Sequence, residues 1–155
     1  MTDGYSGLLG AFPYAFRQSR SRLFRAYVVV GGLLAAILGL LFGFALVVAI
    51  ANTAGFGGGT MTFVRSVFLL FGFIVVAPLV APVLFVARHH RREGDDSQYD
   101  FALALTGVGY VVTLYLGAIA SMPAEFELDG EVTTRPDPSG LAAPLVEALY
   151  ALPEV

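Results

Sequence analysis

The sequence predicts an all-α integral membrane protein: a bundle of three transmembrane helices with a short interfacial segment before it and a short amphipathic helix after it. The first observation is three uncharged apolar stretches, at residues 26–64, 66–87 and 101–124. Each reaches the roughly 20 residues that a bilayer core about 30 Å thick requires, and the first also holds a turn. The second is composition, because 57% of the residues are hydrophobic and 14% charged, against about 45–50% and about 25% in soluble domains.

The first element is a basic, aromatic segment at residues 1–25. Aromatic rings sit well at headgroup depth and arginines pair with lipid phosphate, so we expect a short helix lying in the interface. A loosely ordered basic tail is the alternative. Pro13 is expected to begin or break a helix here and not to lie in its middle. The arginines predicted to contact lipid headgroups or to set topology are Arg17, Arg20, Arg22 and Arg25.

The first predicted span, residues 27–52, carries small residues at every fourth position. This spacing places them along one helix face, where another backbone can approach closely, and such faces drive helix association in lipid. The alternative is that glycine and alanine are simply frequent in membrane spans. The predicted packing residues are Gly31, Ala35, Gly39 and Gly43.

A glycine-rich turn at residues 54–61 joins the first two spans. No GKS or GKT sequence follows it, and no strand precedes it, so it does not resemble a phosphate-binding loop. Because the turn is short, we expect the first two spans to be antiparallel neighbours.

The second predicted span, residues 63–87, contains two prolines one turn apart, Pro78 and Pro82. Each removes a backbone donor, so we expect a kink or an opening near residues 74–78. Broken helices form binding sites in transporters, which makes this the best functional candidate within the spans. The alternative, which we favour, is a structural kink that improves packing, because no charged side chain accompanies the prolines.

A basic cluster closes the second span, and an acidic loop follows it. Arg88, Arg91 and Arg92 are predicted to contact lipid headgroups or to set topology. His89 and His90, with nearby aspartates, suggest a metal site, but adjacent helical residues point about 100° apart. We therefore expect no metal, and a solvated loop at residues 93–100.

The third predicted span, residues 101–122, repeats the pattern of small residues at four-residue intervals. A second small face strengthens the prediction of a tight bundle, and its hydroxyl groups are able to hydrogen-bond across to a neighbouring helix. Three helices enclose only a small interior, so we expect some small faces to meet another subunit or protein. These residues are Gly109, Thr113, Gly117 and Ser121.

The tail, residues 123–155, is acidic and polar. Residues 125–132 are predicted to form a short extended piece, and a turn rich in proline follows. Leucines at helical spacing then predict a short helix over residues 141–152, with Pro144 in its first turn. Its apolar stripe requires burial against the membrane interface, the bundle or a partner, and disorder is the alternative.

The arginines also predict orientation, because short loops rich in arginine stay in the cytoplasm. Seven of the nine basic residues lie before the first span or after the second. We therefore expect a multi-pass protein of the cell membrane, with its N-terminus in the cytoplasm and its C-terminus outside.

Three segments together resemble small haloarchaeal membrane proteins of unknown function: residues 8–17 (LLGAFPYAFR), residues 23–25 (LFR) and residues 77–84 (APLVAPVL). The resemblance covers about residues 5–120. It implies a multi-span membrane protein and no activity that transfers to these residues.

The expected function is structural: helix association with a second copy or within a larger membrane complex. The alternative is a transport or channel component that uses the second span. Cysteine is absent, which excludes disulfides, thiolate metal sites and cysteine nucleophiles. We expect no enzyme activity and no cofactor. The expected partners are membrane lipids and either a second copy of the chain or another membrane protein, and no nucleic acid is expected.

Overall fold

The predicted all-α membrane fold is confirmed by a computed structural model, which describes residues 7–55, 58–128 and 130–152. By length and composition, three helices are able to cross a membrane: Arg22–Thr53, Thr62–Arg92 and Ser97–Ala120. The elements in chain order are α1 Gly7–Gln18, α2 Arg22–Thr53, α3 Gly59–Arg92, α4 Ser97–Ala120, β1 Glu125–Leu128, β2 Glu131–Thr134 and α5 Ala143–Tyr150.

The chain divides into two compact units, Met1–Tyr110 and Val111–Val155. In the first, α2 packs against α3, and α1 packs against both. The long helices bury few of their apolar side chains internally, and large residues such as Phe44, Phe63 and Phe73 remain exposed. Such surfaces are stable in hydrocarbon and not in water, which agrees with a membrane location.

Helix α1 is an ordered element that is folded onto the bundle. Its residues Ala11 and Ala15 are fully buried. Pro13 lies inside α1, so the expectation that it begins or breaks the helix is wrong. The physical reason is that Pro13 itself is exposed, while the small residues two positions on either side of it pack on the neighbouring helices.

A tight turn joins α1 to α2. Ser19 and Ser21 are buried there, and the Ser21 backbone N–H donates to Ser19 Oγ at 3.2 Å. Ser21 is the N-cap of α2, because its Oγ accepts from the Phe24 backbone N–H at 3.3 Å. The cap satisfies a backbone donor that the start of a helix leaves unpaired, and the fully buried Phe24 follows at once.

The core of the first unit is centred on Tyr27, Leu79, Val83, Val86 and Ala104, all buried. Proline does not interrupt α3, which is helical from Gly59 to Arg92 with Pro78 and Pro82 inside it. The helix is therefore not broken near residues 74–78, where an opening was one of the two predicted outcomes.

The second unit contains a hairpin and a short helix. Strands β1 and β2 pair antiparallel, with Glu125 opposite Thr134 and Leu128 opposite Glu131. Gly130 at the turn has φ +86°, a conformation that favours glycine. The predicted extended piece is thus a hairpin, because the chain reverses within it.

Helix α5 is shorter than the predicted 141–152 and carries Pro144 in its first turn, as expected. None of its residues is buried, and the Leu145 side chain is about half exposed.

Candidate functional site

The small residues of α2 divide into an inner and an outer pair. Gly31 and Ala35 are buried, and Gly31 packs against the Tyr27 ring. Gly39 and Gly43 are exposed, and a Cβ added at either would meet no atom within 4 Å. We call Gly39 and Gly43 the glycine face. It leaves an unfilled notch along one side of α2.

The glycine face borders an apolar groove of about 310 Å³ between α2 and α3. The rings of Phe42 and Phe68 pack at 5.8 Å between centroids, and Phe42 covers Gly72. Aromatic rings thus fill the interior contact of the two helices, while the glycines one helical turn apart stay open beside them.

The small residues of α4 lie away from its buried face. Gly109, Thr113, Gly117 and Ser121 are all exposed. The buried residues of α4 are Asp100, Ala104 and Gly107. Position 107 lies about 200° around the helix from position 109, so the two sets occupy different sides. The buried positions 100, 104 and 107 are spaced by four and three residues, the pattern that predicts one buried helix face.

Gly107 makes a close helix contact that the four-residue spacing of small residues did not predict. A Cβ at this position would overlap the Tyr27 ring, whereas a Cβ at Gly109 would meet no atom within 4 Å. Tyr27 thus lies between Gly31 of its own helix and Gly107 of α4. Close approach at glycine is typical of helices packed in lipid.

Tyrosine hydroxyls bond to the carbonyls around the prolines of α3. The Tyr110 hydroxyl lies 3.2 Å from the Ile74 carbonyl oxygen and 3.0 Å from that of Val75. Pro78 lacks the N–H that would otherwise bond to Ile74, so Tyr110 serves a carbonyl that proline leaves free. Tyr27 donates to the Leu79 carbonyl at 2.7 Å. Pro78 is partly buried and Pro82 is buried.

The seven predicted lipid or topology arginines are all exposed: Arg17, Arg20, Arg22, Arg25, Arg88, Arg91 and Arg92. The Arg25 guanidinium lies 4.6 Å from the centre of the Phe16 ring. At the end of α3, three of the arginines line an open groove of about 560 Å³ with Leu84 and Phe85. Apolar and basic groups side by side suit the boundary between acyl chains and headgroups.

A cluster that we call the polar junction consists of Arg20, His90, Asp95 and Asp100. Asp100 lies in the first turn of α4 and is fully buried. Its Oδ1 lies 2.8 Å from Nε2 of His90, whose side chain is 3% exposed. Arg20 Nε lies 2.8 Å from Asp95 Oδ2. The junction therefore joins the turn before α2, the end of α3 and the start of α4.

Asp100 was expected in a solvated loop, and that expectation is wrong. The helix begins three residues earlier, at Ser97, so the backbone turns this carboxylate inward. Asp96 takes the capping role, with Oδ1 accepting from the backbone N–H groups of Gln98 at 2.9 Å and Tyr99 at 3.1 Å. A cap at Asp96, four residues before Asp100, was the available signal.

The two neighbouring histidines have different surroundings. His89 stacks on Tyr99 with 4.2 Å between ring centroids, and its Nδ1 lies 3.3 Å from Glu93 Oε2. His90 alone faces Asp100. This agrees with the expectation that adjacent helical histidines point in different directions.

At the opposite end of α3, Arg65 connects the two long helices. Its Nη2 donates to the Thr53 carbonyl at 2.8 Å, and its Nε donates to Thr53 Oγ1 at 2.9 Å. A cation at the last carbonyls of α2 is favourable both as a cap and through the helix dipole.

Comparison with known proteins returned one family match. The whole chain, residues 1–155, matches the model of a family described as a domain of unknown function, DUF8056. No curated protein and no solved structure matches the chain.

Proposed function

We propose that this chain, which belongs to the DUF8056 family, a domain of unknown function, is a multi-pass membrane component. In this proposal it associates with a second copy through the glycine face. The observation that carries this proposal is the open notch at Gly39 and Gly43, where an added Cβ meets nothing within 4 Å.

Shape, and not exposure alone, supports association. In lipid, an exposed leucine is as well solvated as a buried one, so apolar surface gives helices no reason to leave the tails. A notch of two glycines differs from flat apolar surface, because a second helix backbone fits into it. The two helices then make closer van der Waals contacts than acyl chains would make there. The inner pair, Gly31 and Ala35, already serves packing within the chain, which leaves Gly39 and Gly43 for a second one.

The transport alternative has less support. A path along α3 would need carbonyls near the prolines that are open to a substrate or ion. Tyr110 and Tyr27 instead bond to those of Ile74, Val75 and Leu79. These contacts suit a packing role for the proline segment.

For orientation, we propose the N-terminus in the cytoplasm, as the arginine distribution predicts. The polar junction and the exposed arginines then lie at the cytoplasmic interface, where anionic headgroups are able to pair with them. The Arg65 contact with Thr53 lies at the outer interface.

The test is Förster transfer between labelled copies in liposomes. The chain has no cysteine, so a single cysteine at the exposed Thr133 provides the label. The double variant Gly39→Leu with Gly43→Leu should show less transfer, because its association constant should fall at least about tenfold, which corresponds to about 1.4 kcal/mol. The matched control is Ala45→Leu, an exposed position about 200° around α2 from Gly43.

Equal transfer in the Leu variant and the wild type would contradict the proposal. Loss of transfer in both the Leu variant and the Ala45→Leu control would also contradict it, because the effect would then not be specific to the glycine face. Wild-type copies that stay monomeric in liposomes, yet copurify with another membrane protein, would favour a larger complex.

A further inference from the structure

The strongest unassigned feature is the buried carboxylate of the polar junction. Asp100 is fully buried, and one of its oxygens, Oδ1, faces His90. The other, Oδ2, has no hydrogen-bond partner among the described residues. A buried polar atom without a partner destabilises the fold, so a group that binds this carboxylate would offset that cost.

The Asp100 carboxylate belongs to a cluster of three residues that each offer one atom able to bind a metal. One atom each from His90, Asp95 and Asp100 lies within 4.8 Å of the others. We propose that these three residues bind one divalent transition-metal ion.

The donor set favours a transition metal over Mg²⁺ or Ca²⁺. Those two ions prefer oxygen ligands alone, whereas an imidazole nitrogen suits zinc, iron, nickel and copper. Three protein ligands also leave a position for water or a further group. The ion would supply a positive partner for the buried Asp100 carboxylate.

Arg20 competes with the ion for Asp95. Its Nε lies 2.8 Å from Asp95 Oδ2, and its side chain is 83% exposed, so it is able to leave into solvent. Asp95 is the most exposed of the three ligands and provides the approach to the buried pair. Metal binding therefore breaks the ion pair between Arg20 and Asp95 and replaces it with a bond from Asp95 to the ion.

The test is a titration of the full chain in nanodiscs with Zn²⁺ alone, against a chromophoric chelator. The purification tag must lack histidine, because the chain itself has only 2. We expect one ion per chain. Asp100→Asn and His90→Gln should each weaken binding at least about tenfold, the lower end of what is lost when even an outer partner of a metal ligand is removed.

Two variants serve as matched controls. His89→Gln changes the histidine that stacks on Tyr99, and Asp96→Asn changes an aspartate of the same loop while keeping a side chain that caps helices. Neither should change zinc affinity.

Arg20→Gln tests the proposal even where loss of the buried pair prevents folding. Removing a competing cation should tighten zinc binding, and because Arg20 is exposed the fold should tolerate the change. Tighter binding in Arg20→Gln supports the site. No wild-type binding at millimolar Zn²⁺, unchanged binding in Asp100→Asn or His90→Gln, or unchanged or weaker binding in Arg20→Gln would overturn it.

Discussion

At the scale of single residues, Tyr27 and Asp100 illustrate how polar groups are held at the ends of membrane helices. The Tyr27 hydroxyl donates to a carbonyl of α3, and its ring lies against glycines of α2 and α4. A buried hydroxyl in hydrocarbon needs such a partner, and a ring needs space that only glycine leaves. Among the described residues, His90 bonds to one oxygen of Asp100, and the other oxygen is unpaired.

The Tyr27 contact predicts unequal effects of alanine at two glycines of α4. Gly107→Ala should destabilise the protein by about 1–3 kcal/mol, because the new methyl group overlaps the Tyr27 ring. Gly109→Ala is the control, since its Cβ meets nothing within 4 Å. Thermal unfolding in detergent, followed by helical circular dichroism, measures both. Equal melting temperatures for the two variants would show that Tyr27 does not lie against Gly107.

At the scale of elements, the sequence was sufficient for the three spans but not for their contacts. Long uncharged runs predict helices because every backbone group must be satisfied internally in lipid. The helices extend beyond the predicted 27–52 and 63–87, because backbone bonding continues into the polar ends. Docking of α1 through Ala11 and Ala15, and the pairing of His90 with Asp100, depend on helix phase and on neighbours, which local patterns do not contain.

The proline segment of α3 predicts an energetic coupling between two helices. Tyr110→Phe should cost about 0.6 kcal/mol, because the Ile74 carbonyl loses its donor. In a Pro78→Ala background the cost should fall, since residue 78 then supplies an N–H to that carbonyl. The measurement is a double-mutant cycle of unfolding free energies in detergent.

Tyr115→Phe is the control for that cycle, because Tyr115 is 66% exposed. Additive effects of Tyr110→Phe and Pro78→Ala would mean that the hydroxyl does not replace the missing donor.

At the scale of the whole molecule, three membrane crossings would place the connections between the long helices on alternate sides. Single cysteines are clean probes because the chain has none. A membrane-impermeant maleimide should label Ala54→Cys and Thr133→Cys from outside and Ser97→Cys only from the cytoplasm. All three positions are exposed. Labelling of Ser97→Cys and Thr133→Cys from the same side would contradict three crossings.

Association through the glycine face is the central claim, and disulfide formation between copies in liposomes tests it most directly. A disulfide requires Cα atoms within about 7 Å, a separation that two glycine faces in contact allow. We expect cross-linked dimers from Gly39→Cys or Gly43→Cys, and little cross-linking from Ala45→Cys on another side of α2. Equal yields at all three positions, or no dimer from either glycine position, would contradict the account.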